Sequence, residues 1–146
     1  MVFSLIIGSF IIMINVVVQA FGNVRWFKKI APSFKNELKF QSSKVVLQLL
    51  IYSFVFFSIL HFFQTWLWAA VYMLIPETNM LFSSFSEAWY FSMVTFTSLG
   101  YGDLTLSGNW RLLSGIEAIN GIMLIGWSTA IMFSLIQQIF KRINSN

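Results

Sequence analysis

The polar and apolar positions of this chain fall in blocks. Val2 to Phe21 carries no charged residue, and at ~1.5 Å per helical residue such a stretch crosses a hydrocarbon layer of ~30 Å. Val45 to Ile75 holds no Asp, Glu, Lys or Arg and is longer than a bilayer requires, so it tilts or projects beyond the membrane. Leu112 to Phe140 is interrupted by a single charged residue, Glu117. The pattern predicts an all-α membrane protein: a transmembrane helix over 1–21, then a unit over 45–142 with an outer helix (45–75) and an inner helix (110–142). Pro76 stops the outer helix, and Trp66, Trp68 and Tyr72 before it are read as an interfacial belt. No basic residue precedes the first stretch, which also outruns a signal-peptide core, so it is read as an anchor.

The segment between the last two spans is too apolar for an ordinary loop, with Ala88, Trp89, Tyr90, Phe91, Met93, Val94 and Phe96 at its middle. Ser84-Phe85-Ser86-Glu87 has the capping-box pattern, in which the serine accepts from a free backbone amide and the glutamate reaches back. It predicts a short helix over 84–97 that Gly100 and Gly102 terminate. That helix is too short to span, so the chain dips into the membrane and returns. Irregular backbone at membrane depth is tolerated only inside protein or along a watery cavity. The pattern therefore implies a cavity.

Composition sharpens this picture. Of 146 residues, 58% are hydrophobic and 10% charged, too few charges to cover a water-soluble domain. Cysteine is absent, which excludes disulfides, thiolate metal sites and thiol nucleophiles. Arg25, Lys28, Lys29, Lys35, Lys39, Lys44, Lys141 and Arg142 fall on one side of the three-span map and only Arg111 on the other. The positive-inside rule then puts the loop over 22–44 and the C-terminus in the cytoplasm, the N-terminus outside, and the protein in the plasma membrane as a multi-pass chain. These cations flank apolar spans, so lipid is the expected partner and nucleic acid is not. The 22–44 segment reads either as a basic loop or as an interfacial helix, with Phe27, Ile30, Phe34 and Leu38 at helical spacing and Pro32 within it. No nucleophile-base pair or metal cluster is visible, so no enzyme activity, no cofactor and no small-molecule substrate is expected.

Thr97-Ser98-Leu99-Gly100-Tyr101-Gly102-Asp103 resembles the selectivity-filter signature of potassium channels of the two-helix pore-domain family, here with one additional N-terminal transmembrane helix. The resemblance covers roughly the last two-thirds of the chain and is strongest from Trp89 to Asp103. It implies a homotetramer around an axis, conducting K+ passively. The carbonyls of Ser98, Leu99, Gly100 and Tyr101 would replace the ion's hydration shell, with the Ser98 hydroxyl completing the innermost site. Tyr101 would point away from the pore and pack against Tyr90 and Phe91, while Asp103 would add negative potential at the outer mouth. Ser98 stands where the signature commonly has threonine and Leu99 where it commonly has valine, which leaves open a weakly selective cation channel. Val94 stands where some relatives place a glutamate. A third reading is a non-conducting subunit that modifies another channel.

By the same resemblance, Ile122, Ile125, Thr129, Phe133 and Gln137 line the permeation path, steps of three and four keeping them on one face. Phe133 is either a hydrophobic gate or a packing residue; Gly121 and Gly126 are either hinges or sites of close packing. Glu117, one turn nearer the outside than Gly121, either hydrogen-bonds behind the filter and pore helix or sits as an acid near the outer interface. His61 reads as a packed or hydrogen-bonded neutral residue, and Asn15 and Gln48 as hydrogen-bonding partners between helices. No span repeats arginine at every third position, so no voltage sensor is visible.

Overall fold

The computed structural model describes residues 2–34 and 43–144. The described residues form five α-helices: α1 (Val2–Phe34), α2 (Ser43–Leu74), α3 (Pro76–Asn79), α4 (Phe85–Phe96) and α5 (Arg111–Asn144). A 3-10 turn, Gly108–Trp110, leads into α5. Three of these helices, α1, α2 and α5, are long and apolar enough to cross a membrane, and this is an all-α membrane protein.

Local chemistry sets the breaks. The ring of Pro76 disfavours helical geometry in the residue before it, and Ile75 is accordingly extended, at φ −89° and ψ 116°. Thr78 then donates its hydroxyl to the Tyr72 carbonyl at 2.6 Å, satisfying an oxygen that the end of α2 leaves bare. Ser84 caps α4 by accepting from the Glu87 amide. The Glu87 carboxylate accepts from the Ser83 amide, one residue before the amide that a capping box would use. With 12 residues α4 is about 18 Å long, well short of a ~30 Å crossing.

Two expectations from the sequence change. The first helix does not stop at Phe21 but runs to Phe34 with Pro32 inside it. Pro32 has no N–H to give the Lys28 carbonyl, and the helix ends two residues after it. Residues 22–34 are thus neither a loop nor a separate interfacial helix. Trp26 and Ile30 pack with Leu49 and Phe57 of α2 and Leu135 and Ile139 of α5, while Arg25, Lys28 and Lys29 stay exposed. Trp26 stacks on Phe56 with ring centroids 4.7 Å apart. Leu38, Lys35 and Lys39 of the expected amphipathic pattern lie outside the described residues.

The belt expected near the end of α2 is the second change. Trp66 is exposed, but Trp68 and Tyr72 are 0% exposed. An aromatic ring with a polar tip can leave the interface when that tip finds a partner inside. Trp68 Nε1 donates to Asn120 Oδ1 at 3.2 Å, and Tyr72 Oη donates to Glu117 Oε2 at 2.6 Å.

The face of α1 carrying Ser4, Gly8, Asn15 and Gln19 at steps of four and seven holds the helix to the other two spans. Gly8 lets α5 come close: a Cβ there would sit 2.8 Å from the Ile116 side chain. Ser4 Oγ donates to the Asn109 carbonyl at 2.9 Å, Asn15 Nδ2 to Asn120 Oδ1 at 2.9 Å and Gln19 Nε2 to Ser128 Oγ at 2.9 Å. Gln64 Nε2 donates to Gln19 Oε1 at 2.9 Å, and Gln64 Oε1 contacts His61 Nδ1 at 2.8 Å. In lipid, where apolar side chains gain nothing by leaving their surroundings, such bonds and small-residue contacts drive helix association. Gln48, expected to take part, is exposed, because the inward stripe of α2 at its level runs through Leu49 and Ser53.

Asn120→Leu removes the acceptor for both Asn15 and Trp68 and leaves two buried donors unpaired, a loss of about 1–3 kcal/mol. Thermal unfolding of the purified protein in detergent is expected at a lower temperature for this variant, with exposed Gln48→Leu unchanged.

Candidate functional site

The loop after α4 begins as a helix terminus. Ser98 N–H bonds the Thr95 carbonyl at 2.9 Å and Leu99 N–H bonds the Val94 carbonyl at 3.0 Å, the paired bonds of a Schellman motif. That motif demands a left-handed residue between them, and Ser98 has φ +59°. For a residue with a Cβ this costs about 1–2 kcal/mol, which the two recovered hydrogen bonds offset. Thr97 adds a side-chain cap, donating its hydroxyl to the Met93 carbonyl at 2.7 Å.

From there handedness alternates. Gly100 has φ +55° and Gly102 φ +80°, whereas Leu99 and Tyr101 between them are not in the positive region. A backbone that alternates in the sign of φ follows neither the strand nor the helix pattern, in both of which φ stays negative. A Cβ on Gly100 or Gly102 would meet nothing within 4 Å, so glycine is required there by backbone angle and not by space.

The supports of this loop come from three helices. Asp103 accepts from Tyr90 Oη at 2.9 Å, tying the outer end of the loop to the first turns of α4; the bond raises the Tyr90 phenol above its ordinary pKa. Trp89 Nε1 donates to Thr65 Oγ1 at 3.0 Å, fixing α4 to α2. Glu117, fully buried, reaches α2 through Tyr72 and α4 through a hydrogen bond between its Oε1 and Ser92 Oγ. Gly121 sits against the end of α4, where a Cβ would come within 1.9 Å of the Phe96 carbonyl oxygen. Close packing is therefore what Gly121 does in this structure. Gly126 has nothing within 4 Å.

Other site residues fall less simply. Phe91 is buried, with its ring 5.2 Å from Tyr72 and 5.4 Å from Phe82, so it braces α4 against α2 and the segment between α3 and α4. Tyr101 is 66% exposed and is not packed away within the single chain. Leu99 is likewise exposed. Behind the loop, a cavity of about 380 Å³ separates Ser98, Gly100 and Gly102 from Arg111 and Ser114 of α5. On α5 the expected path residues Ile122, Ile125, Thr129, Phe133 and Gln137 are all exposed. Leu113, Glu117, Asn120, Leu124, Ser128, Leu135 and Ile139 form the buried stripe. Thr129 bonds back to the Ile125 carbonyl at 2.9 Å. Ile125 also borders an apolar cavity of about 290 Å³ with His61, Thr65, Phe96 and Thr97.

Sequence reading missed Ser92, Tyr72, Asn120, Gln19, Gln64 and Ser128 as site supports. A signal existed for part of this set: Ser4, Gly8, Asn15 and Gln19 interrupt an apolar span at helical spacing, and polar residues at such positions mark helix contacts.

Residues 44–138, well over half of the chain, match the family described as Ion channel. No curated protein and no solved structure matches the chain.

Gly121→Ala is expected to drive the inner helix off the α4 carboxyl end at about 1–3 kcal/mol, and Gly126→Ala to be tolerated. Size-exclusion profiles of the two variants after a temperature ramp distinguish them. Equal stability of the two would mean that the packing at Gly121 relaxes without loss.

Proposed function

Because this chain belongs to the ion channel family, we propose that it is one subunit of a homotetrameric, potassium-selective pore that conducts K+ passively. The observation that carries the reading is the alternation in the sign of φ at Ser98, Gly100 and Gly102, and in this reading it aims a row of carbonyl oxygens at one edge of the loop. A hydrated cation entering such a row exchanges water oxygens for carbonyl oxygens. One loop encloses nothing. A ring of four copies about an axis closes the path.

Several features support the tetramer. Tyr101 and Leu99 are large, apolar and exposed in the single chain, and the filter backbone stands beside an open cavity. Neighbouring copies supply the cover that Tyr101 lacks, and the face of α5 with Ile122, Thr129, Phe133 and Gln137 then turns to the axis. Phe133 from four subunits narrows the cytoplasmic half of that path, where a dry apolar constriction resists ions. The α4 helix contributes as well. Its carboxyl end runs directly into the filter, and the negative end of a helix dipole favours a cation there.

The energetic work is confined to dehydration. Asp103 raises local cation concentration at the outer mouth, and the filter carbonyls replace the lost water. The exposed cations Arg25, Lys28 and Lys29 sit at the cytoplasmic face next to anionic lipid. The N-terminus is outside and the membrane is the plasma membrane in this reading.

Liposomes holding the purified protein are expected to take up K+ in preference to Na+, and Gly100→Asp, which places a side chain at a left-handed position, to abolish uptake. Equal uptake of both ions would replace this reading with a weakly selective cation channel. Silence of the wild type across voltage, pH and lipid composition would replace it with a modulatory subunit.

A further inference from the structure

Glu117 is 0% exposed in a helix read here as membrane-spanning, and its hydrogen-bond partners are two neutral hydroxyls. Tyr72 Oη donates to Oε2 at 2.6 Å. Oε1 lies in hydrogen-bonding contact with Ser92 Oγ. The same Ser92 oxygen lies 2.8 Å from the Thr65 carbonyl oxygen.

These contacts can be counted in hydrogens. A serine hydroxyl has one hydrogen to give, while a carbonyl and an ionised carboxylate only accept. If Glu117 were ionised, Ser92 would serve either Thr65 or Glu117, and the other contact would bring two sets of lone pairs together with no hydrogen between them. A proton on Glu117 Oε1 resolves the conflict. Glu117 then donates to Ser92, Ser92 donates to the Thr65 carbonyl, and Tyr72 donates to Oε2.

The surroundings give a negative charge nothing to pair with. On α1 no charged residue occurs between Ser4 and Asn23, and on α5 the nearest is Arg111 at the helix start. On α2 the titratable groups above Lys44 are Tyr52, His61 and Tyr72, and on α4 they are Glu87 and Tyr90 near its amino end. His61 is bonded to Gln64, Glu87 to Ser83 and Tyr90 to Asp103. An unpaired carboxylate buried in a membrane protein neutralises by taking up a proton.

We propose that Glu117 is a neutral carboxylic acid whose proton clasps the pore helix to the outer and inner helices, making it a positioning residue for the filter. The clasp rests on the channel reading for its functional consequence, but the location of the proton does not. It acts through Ser92, which sits on α4 less than two turns before the Schellman motif from which the filter starts. Holding Ser92 to both α2 and α5 fixes the depth and rotation of α4 and so the position of the first filter carbonyls. Gln has the same shape, one amide N–H replacing the acid O–H and its carbonyl accepting from Tyr72, with a second N–H left over.

The test is infrared spectroscopy of the purified protein in lipid at neutral pH, with potassium flux measured on the same samples. A carboxylic-acid C=O stretch present in the wild type and missing in Glu117→Gln is the expected result, and its absence overturns the proposal whether or not the chain conducts. Ser92→Ala is expected to move that band to higher frequency, because the acid loses its acceptor; an unmoved band overturns the assignment to Ser92. Glu117→Gln is expected to keep flux within about twofold and Glu117→Ala to lose about tenfold or more. Equal loss in both overturns the positioning role, and loss of potassium selectivity with the band intact counts against the channel reading alone.

Discussion

Backbone carbonyls that leave a helix at membrane depth have no water to bond to in lipid, and each one left bare costs several kcal/mol. Ser98 to Gly102 leave helical geometry directly after α4, and the rest of this structure is arranged around this short stretch. Its amides are recovered first, through the Schellman bonds from Ser98 and Leu99 to Thr95 and Val94. Its backbone alternates in handedness, with positive φ at Ser98, Gly100 and Gly102. The remaining helices brace that irregular segment from one side, through Tyr90 to Asp103 and through Ser92 to Glu117.

The bracing is done with polar contacts as much as with apolar ones. Since apolar burial gives little driving force between helices in a membrane, the spans are joined by Asn15 to Asn120, Gln19 to Ser128 and Gln64, and Trp68 to Asn120. Glu117, Tyr72 and Ser92 extend the same logic to α4. The first helix is thus a structural part of the unit and not an appended anchor. Its inner face is bonded to α2 and α5, while Phe3, Phe10, Met13 and Phe21 are left exposed.

Close packing sets the remaining geometry. Gly121 admits the Phe96 carbonyl, bringing the inner helix against the end of α4, and Gly8 admits Ile116, bringing α1 against the inner helix. A side chain at either place would separate helices whose polar partners depend on that approach. The stripe of α5 opposite to these contacts, which includes Ile122 and Phe133, is left without cover in one chain.

By itself the sequence determined the elements that follow from one-dimensional rules. Uncharged length gave three spans, Ser84 and Pro76 gave helix boundaries, and Gly100 and Gly102 gave the place where helical geometry ends. The filter-like heptapeptide was legible because its chemistry is local to the backbone. Partner choice was not legible, since a polar residue in an apolar span announces a bond without saying to what. Only the tertiary structure decided that Trp68 and Tyr72 turn inward to Asn120 and Glu117, and that Gln48 faces outward. Packing likewise decided that α1 continues past Phe21, because Trp26 and Ile30 find α2 and α5 to rest against. Hydrogen bonds and steric contact act over a few ångströms between residues 45 to 109 positions apart, and periodicity along one strand of sequence carries no record of that distance.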